Sequence, residues 1–151
     1  MASGVTVEDE VVSVFEALKF KKKLKVVFFR MSDDCKSIIV DTEKQIMADD
    51  KDAYATFIGM LPLKECRYAV YDVAYRTKES SDKASLVFVS WAPDDAPIKS
   101  KMVHASSKDY IKKELQLVTE WQITDLEEAK DLRGLAEKLS GVVVSLEGRT
   151  P

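Results

Sequence analysis

Histidine occurs once in the 151 residues, at His104, and cysteine twice, at Cys35 and Cys66. One histidine excludes a metal centre built on several imidazoles, and any nucleophile–histidine–acid arrangement would have to run through His104 alone. Two cysteines far apart, without metal-ligand spacing, make no disulfide framework and predict reduced thiols. Glycine is scarce, with five in the chain, and none falls in a phosphate-cradling loop or a dinucleotide fingerprint. No apolar run approaches the roughly 18 to 20 residues that span a bilayer, and the opening "MASGVTVEDE" has no apolar signal core, so the expectation is a soluble intracellular chain. Nor does one charge dominate: a net charge of −3 argues against nucleic-acid binding by bulk charge and leaves local patches to be read. Carboxylates are plentiful, but nothing in the sequence pairs them. These absences favour a binding module over an enzyme, with no cofactor and no metal.

What is present is enough apolar material, 46% of residues, for one domain over 1–151 with a real core. "TVEDEVVSVFEALK" predicts a first helix with Thr6 as N-cap and Val7, Val11, Phe15 and Leu18 on one stripe. "LKVVFFRM" and "KSIIV", separated by the polar turn "SDDC", predict a hairpin. "DAYATFIGML" spaces Tyr54, Phe57, Ile58 and Leu61 helically, and Pro62 stops it. In "CRYAVYDVAYRT" and "SLVFVSW" both alternation classes are apolar, so these strands should be central and covered on both faces. In "TDLEEAKDLRGLAEKL", Thr124 and Glu127 suggest a capping box, Gly134 weakens the centre and Gly141 is a natural stop. With a last strand in "VVVSL", the pattern predicts an α+β sandwich: a mixed, mainly antiparallel sheet of about five strands between helices.

The stretch "APIKSKMVHASSKDYIKKEL" predicts a long helix entered after Pro97. Val103, Ser107, Tyr110, Ile111 and Val118 share an arc that can cover a core, and His104 reads as a packed or edge residue. The other side holds Lys101, Lys108, Lys112 and Lys113, with Met102, Ala105, Ser106 and Asp109 among them. A soft apolar anchor and small residues between lysines suit the close approach of another protein better than simple solvation.

From "MASGVTV" through "DAYATFIGMLP", "CRYAVYDVAY", "LVFVSWAPDDAPIKSKMVHASSKDYIKKEL" and "LAEKLSG" to "VVSLEG", the chain resembles the actin-depolymerising factor/cofilin family over essentially its full length. The resemblance implies the ADF-homology fold and a non-enzymatic monomer. Such a protein binds actin monomers and filaments, prefers the ADP-bound state, and promotes severing and depolymerisation. By the same resemblance, Ser3, Gly4, Val5, Lys99, Lys101, Met102, Ser106 and Ser107 would contact monomer and filament alike, although the helical wheel turns Ser107 toward the core. Ser3 would carry an inhibitory phosphate, set and removed by a kinase and a phosphatase. Phosphoinositide headgroups would inhibit through Lys99, Lys101, Lys112 and Lys113.

A second surface used only on filaments is implied at Lys78, Lys83, Glu128, Lys130, Asp131 and Arg133. Here the chain departs from vertebrate relatives: Leu132 separates Asp131 from Arg133, moving the base by one helical position, about 100° around the axis. The run "KFKKKLK" lacks the longer insertion that carries a nuclear-import signal in vertebrate cofilins. It reads either as a solvated sheet edge or as a contact for membrane phosphoinositides, and the expected location is the cytoplasmic actin cytoskeleton. The alternative reading is a filament-binding adaptor of the same fold that does not sever, as in coactosin-like relatives.

Overall fold

A computed structural model of the chain describes residues 5–79, 82–139 and 142–151. Strand β1 (Thr6–Val7) leads into helix α1 (Asp9–Glu16), which continues as a π-helical turn over Ala17–Lys21. The hairpin of β2 (Leu24–Met31) and β3 (Ser37–Met47) precedes α2 (Ala53–Met60). A second hairpin, β4 (Arg67–Thr77) and β5 (Asp82–Trp91), leads to the long helix α3 (Ile98–Glu114). Then follow β6 (Glu120–Ile123), the short helices α4 (Leu126–Lys130) and α5 (Leu132–Ala136), and β7 (Val143–Leu146).

The strands form one sheet in the order β1-β3-β2-β4-β5-β6, with β7 pairing with β4 beyond the end of β2. Pairing is antiparallel except at the margins, where β1 runs parallel to β3 and β6 parallel to β5. Because side chains alternate across a strand, β4 sends Tyr68 and Val70 to one face and Ala69, Tyr71 and Val73 to the other. The first face buries Val11, Phe15 and Leu18 of the N-terminal helical segment, with Ile111 and Leu115 from α3 and its C-cap. The second buries Phe57 of α2, Ala129 of α4 and Leu135 of α5 around Trp91 and Trp121. The expectation of central strands covered on both faces thus holds, with α1 and α3 in one layer and α2, α4 and α5 in the other.

Several local readings are corrected. Among the described residues the sheet has seven strands rather than about five, because β1 and β6 are short edge strands whose pairing comes from parallel partners distant in sequence. Thr6 therefore lies in a strand, and Glu8 is the N-cap of α1. The last helical segment is broken, and at Asp131, not at Gly134: Asp131 has extended backbone (φ −85, ψ 94) and caps α5 by accepting from the Arg133 amide. Its capping box sits one residue later than expected. Asp125 accepts from the Glu128 amide at 2.8 Å, while the Glu128 carboxylate receives the Thr124 amide and hydroxyl. Val118 does not share the buried arc of α3, because the helix ends at Glu114 and Gln116 turns left-handed at φ 56, leaving Val118 88% exposed. Gly141 lies outside the described residues.

Candidate partner-docking surfaces

Helix α3 is laid on the sheet by a narrow polar-and-apolar seam. His104, Ser107 and Ile111, at three- and four-residue spacing, are buried. The Tyr68 hydroxyl donates to the His104 carbonyl at 2.6 Å, and the two rings stack with centroids 4.2 Å apart. The His104 Nε2 lies 2.9 Å from the Ser90 hydroxyl. Burial, aided by the positive charge of Lys108, pushes the imidazole down to about 4, so it is held neutral. His104 is a packing residue, as its neighbours in the sequence suggested.

Turning that seam inward fixes what faces out. Met102 is 66% exposed and Ile98, one turn before it, 74% exposed; Ala105, Ser106, Asp109 and Lys113 are exposed beside them. Ile98 was absent from the sequence-derived set, though its four-residue spacing from Met102 was the available signal. Two exposed apolar side chains on one helical face, bordered by small residues, make an adhesive surface unlike a solvated charged one. Lys99 is exposed, and the half-buried Lys101 donates to the Asp94 carbonyl at 3.2 Å. Ser106 is exposed and bonds within the helix to the Val103 carbonyl. Ser107 is fully buried, and Val5 is 1% exposed in the same core layer. Ser3 and Gly4 lie outside the described residues.

The lysines of α3 do not form one set. Lys108 and Lys112 turn to the neighbouring strand β6, where both reach the Glu120 carboxylate, at 3.1 and 3.3 Å. Burial alone would raise that carboxyl, but hydrogen bonds from Gln122, Lys108 and Lys112 hold it below the usual carboxylate range. Glu120 was not found in the sequence because its pairing depends on β6 lying beside β5. Of the four phosphoinositide candidates, Lys112 is thus ion-paired and Lys101 bonded to a carbonyl, whereas Lys99 and Lys113 are exposed.

The second set is gathered at another end. Lys78 follows β4 and Lys83 lies in β5, both exposed, with the Lys78 amide bonded to the Val142 carbonyl at 2.8 Å. Strand β7 pairs with Tyr75–Thr77 of β4 and packs against α5, and so links the hairpin end to the segment carrying Lys130, Asp131 and Arg133. Glu127, Glu128, Lys130, Asp131 and Arg133 line one shallow groove. The helix break at Asp131 removes the basis for a one-position helical shift of Arg133. Its guanidinium instead folds back on the Asp131 carboxylate at 3.2 Å and stays exposed. The members of the second set on α4 and α5 lie in the helical layer opposite α3.

A cavity of about 250 Å³ lies where the β2–β3 turn meets α3, lined by Arg30, Cys35, Cys66, Arg67 and His104 among others; both cysteines are free thiols. Among the described residues no three His, Cys, Asp or Glu side chains gather in a metal-binding group, and no helix is long and apolar enough to cross a membrane.

The mixed sheet, its helical layers and the outward-facing helix are those of the ADF-homology fold. Residues 4–140 match the family of cofilin/tropomyosin-type actin-binding proteins, and the chain belongs to the cofilin/ADF family. The crystal structure of Streptomyces griseoflavus cofilin is 38% identical, with a TM-score of 0.79 over 91% of this chain and 99% of that one. Plasmodium berghei actin depolymerization factor 2 is 26% identical, with a TM-score of 0.78 over 89% of this chain and 97% of that one. Human coactosin-like protein shares the fold at 15% identity, with a TM-score of 0.70 over 91% of this chain and 92% of that one.

Proposed function

We propose that the chain binds monomeric and filamentous actin, preferring ADP-actin, through the exposed face of α3, and that it severs and depolymerises filaments. The observation that carries this reading is the pair Ile98 and Met102. Two large apolar side chains, 74% and 66% exposed on one helical face, are costly to leave in water, and a partner with an apolar cleft would cover them. Lys99 and Lys101 beside them would meet acidic groups on that partner.

Filament side-binding would add the surface at Lys78, Lys83, Glu128, Lys130, Asp131 and Arg133. Its members on α4 and α5 lie in the layer opposite α3, which suits contact with a second subunit of the filament. Phosphate on Ser3 would act as the off switch, and phosphoinositide headgroups at Lys99, Lys101 and Lys113 would compete with actin. Lys112 would join them only by leaving Glu120. The expected setting is the cytoplasmic actin cytoskeleton.

Cosedimentation with actin combined with filament lengths from fluorescence microscopy tests the reading. Pelleting with shortening filaments and faster depolymerisation is the expected result. Pelleting without either would instead favour a non-severing adaptor of the same fold.

A further inference from the structure

The segment "KFKKK" leaves one feature that actin binding through α3 does not use. The π-helical turn Ala17–Lys21 buries Leu18 against the sheet and leaves the Phe20 ring 68% exposed. Lys19 lies 5.3 Å from the centre of that ring, and Lys22, in left-handed backbone at φ 58, ends the turn. Lys21 and Lys23 are exposed and have no ion-pair partner among the described residues. The Ala48 amide bonds to the Lys23 carbonyl at 2.9 Å, and this register pairs Met47, 50% exposed, with Leu24 at the end of the run.

Counter-charge around the run is mostly spent. Asp72 meets Lys22 at 3.7 Å, and Glu147 is bound by Lys25 at 2.9 Å. Glu16, one turn before Phe20, and Asp49, beyond Ala48, are the nearby exposed carboxylates in sequence. Lys19 therefore flanks an exposed aromatic ring that three further exposed lysines, Lys21, Lys22 and Lys23, follow in the chain, in a protein whose net charge is −3. An aromatic side chain in water, collared by lysines long enough to keep their ammonium groups hydrated, matches an anionic bilayer surface: the ring enters the boundary below the headgroups and the lysines remain among the phosphates.

We propose that Phe20 and its lysine collar form a membrane-docking wedge that seats the protein on anionic bilayers. This wedge is separate from any headgroup capture by the lysines of α3. It depends on apolar insertion plus diffuse charge, not on headgroup stereochemistry, and it stands or falls independently of the actin reading.

The full chain is sedimented with vesicles of phosphatidylcholine alone and of phosphatidylcholine with about one third phosphatidylserine, a content giving the surface potential that attracts polybasic segments. Binding only to the anionic vesicles, weakened by high salt, is expected. Phe20→Ser should lower it about tenfold, the effect of withdrawing one aromatic side chain from an apolar boundary, with actin cosedimentation unchanged. Phe20→Trp should retain binding and gain a blue-shifted emission, quenched by brominated lipid, above the signal of the buried Trp91 and Trp121. The Lys99→Gln/Lys101→Gln double variant should still bind these vesicles. Vesicle binding indifferent to Phe20→Ser, an unshifted Phe20→Trp emission, or loss of binding in the Lys99/Lys101 variant would each overturn the wedge. So would a Phe20→Ser defect confined to actin, which would make the patch a protein contact.

Discussion

Tyr68 of β4 holds His104 of α3 twice, by the 2.6 Å hydrogen bond from its hydroxyl to the His104 carbonyl and by rings stacked 4.2 Å apart. This contact sets the rotation of α3 about its axis, and with it the outward direction of Met102. It also places the only histidine of the chain in the core, where ionisation is unfavourable.

The pH dependence of stability follows. His104 titrates near 4 when folded against 6.5 when free, so the unfolded chain takes up its proton first as pH falls. The contribution is complete above 6.5 and declines toward 4, amounting to about 2 kcal/mol between pH 7 and pH 5. Urea unfolding at both pH values should show His104→Gln losing less stability over that interval than the parent protein. Equal losses would show that His104 is not the titrating group.

Arg67 and Asp41 form a buried ion pair, Nε to Oδ2 at 2.9 Å, with each side chain 9% exposed. Arg67→Met strands the Asp41 carboxylate and should cost about 3 to 5 kcal/mol, whereas Arg67→Met with Asp41→Leu should recover much of that loss. Denaturant midpoints of the single and double variants decide it.

On the docking face, Lys101→Ala and Met102→Ala should each weaken monomer and filament binding by about 1 to 3 kcal/mol while leaving the unfolding transition in place. Met102 is exposed, so its truncation opens no cavity. Unchanged affinity in both variants would remove α3 as the contact.

Charge reversal at Lys78, Lys83 and Arg133 together should impair filament cosedimentation and severing yet spare monomer binding, since none of these residues lies on α3. Fluorescence titration of labelled monomer alongside the pelleting assay separates the two. Equal loss in both assays would merge the surfaces into one.

Phosphorylation of Ser3 should abolish actin binding, because the phosphate adds about −1.5 to −2 charge at neutral pH to a segment that the family resemblance assigns to the actin contact. Binding is compared for unmodified protein, Ser3→Ala and enzymatically phosphorylated protein. Full affinity of the phosphorylated form would rule out a switch.

The sequence by itself determined the features that rest on local periodicity: the two-sided burial of β4 and β5, the stop of α2 before Pro62, and the start of α3 after Pro97. Its wheel also separated Met102 from Ser107 correctly, because exposure on a helix follows from spacing alone. Only the tertiary structure decided the features that depend on partners distant in the chain. Two short edge strands, β1 and β6, have too few residues to signal a period and exist because β3 and β5 offer them hydrogen bonds. The break at Asp131 arises because its side chain caps α5 instead of continuing α4, a choice that helix propensity does not reveal. The same holds for charge: Lys108 and Lys112 looked like part of the docking face until β6 brought Glu120 within 3.3 Å of both. A lysine's role is set by the nearest carboxylate in space, and that distance is fixed by how the sheet is ordered.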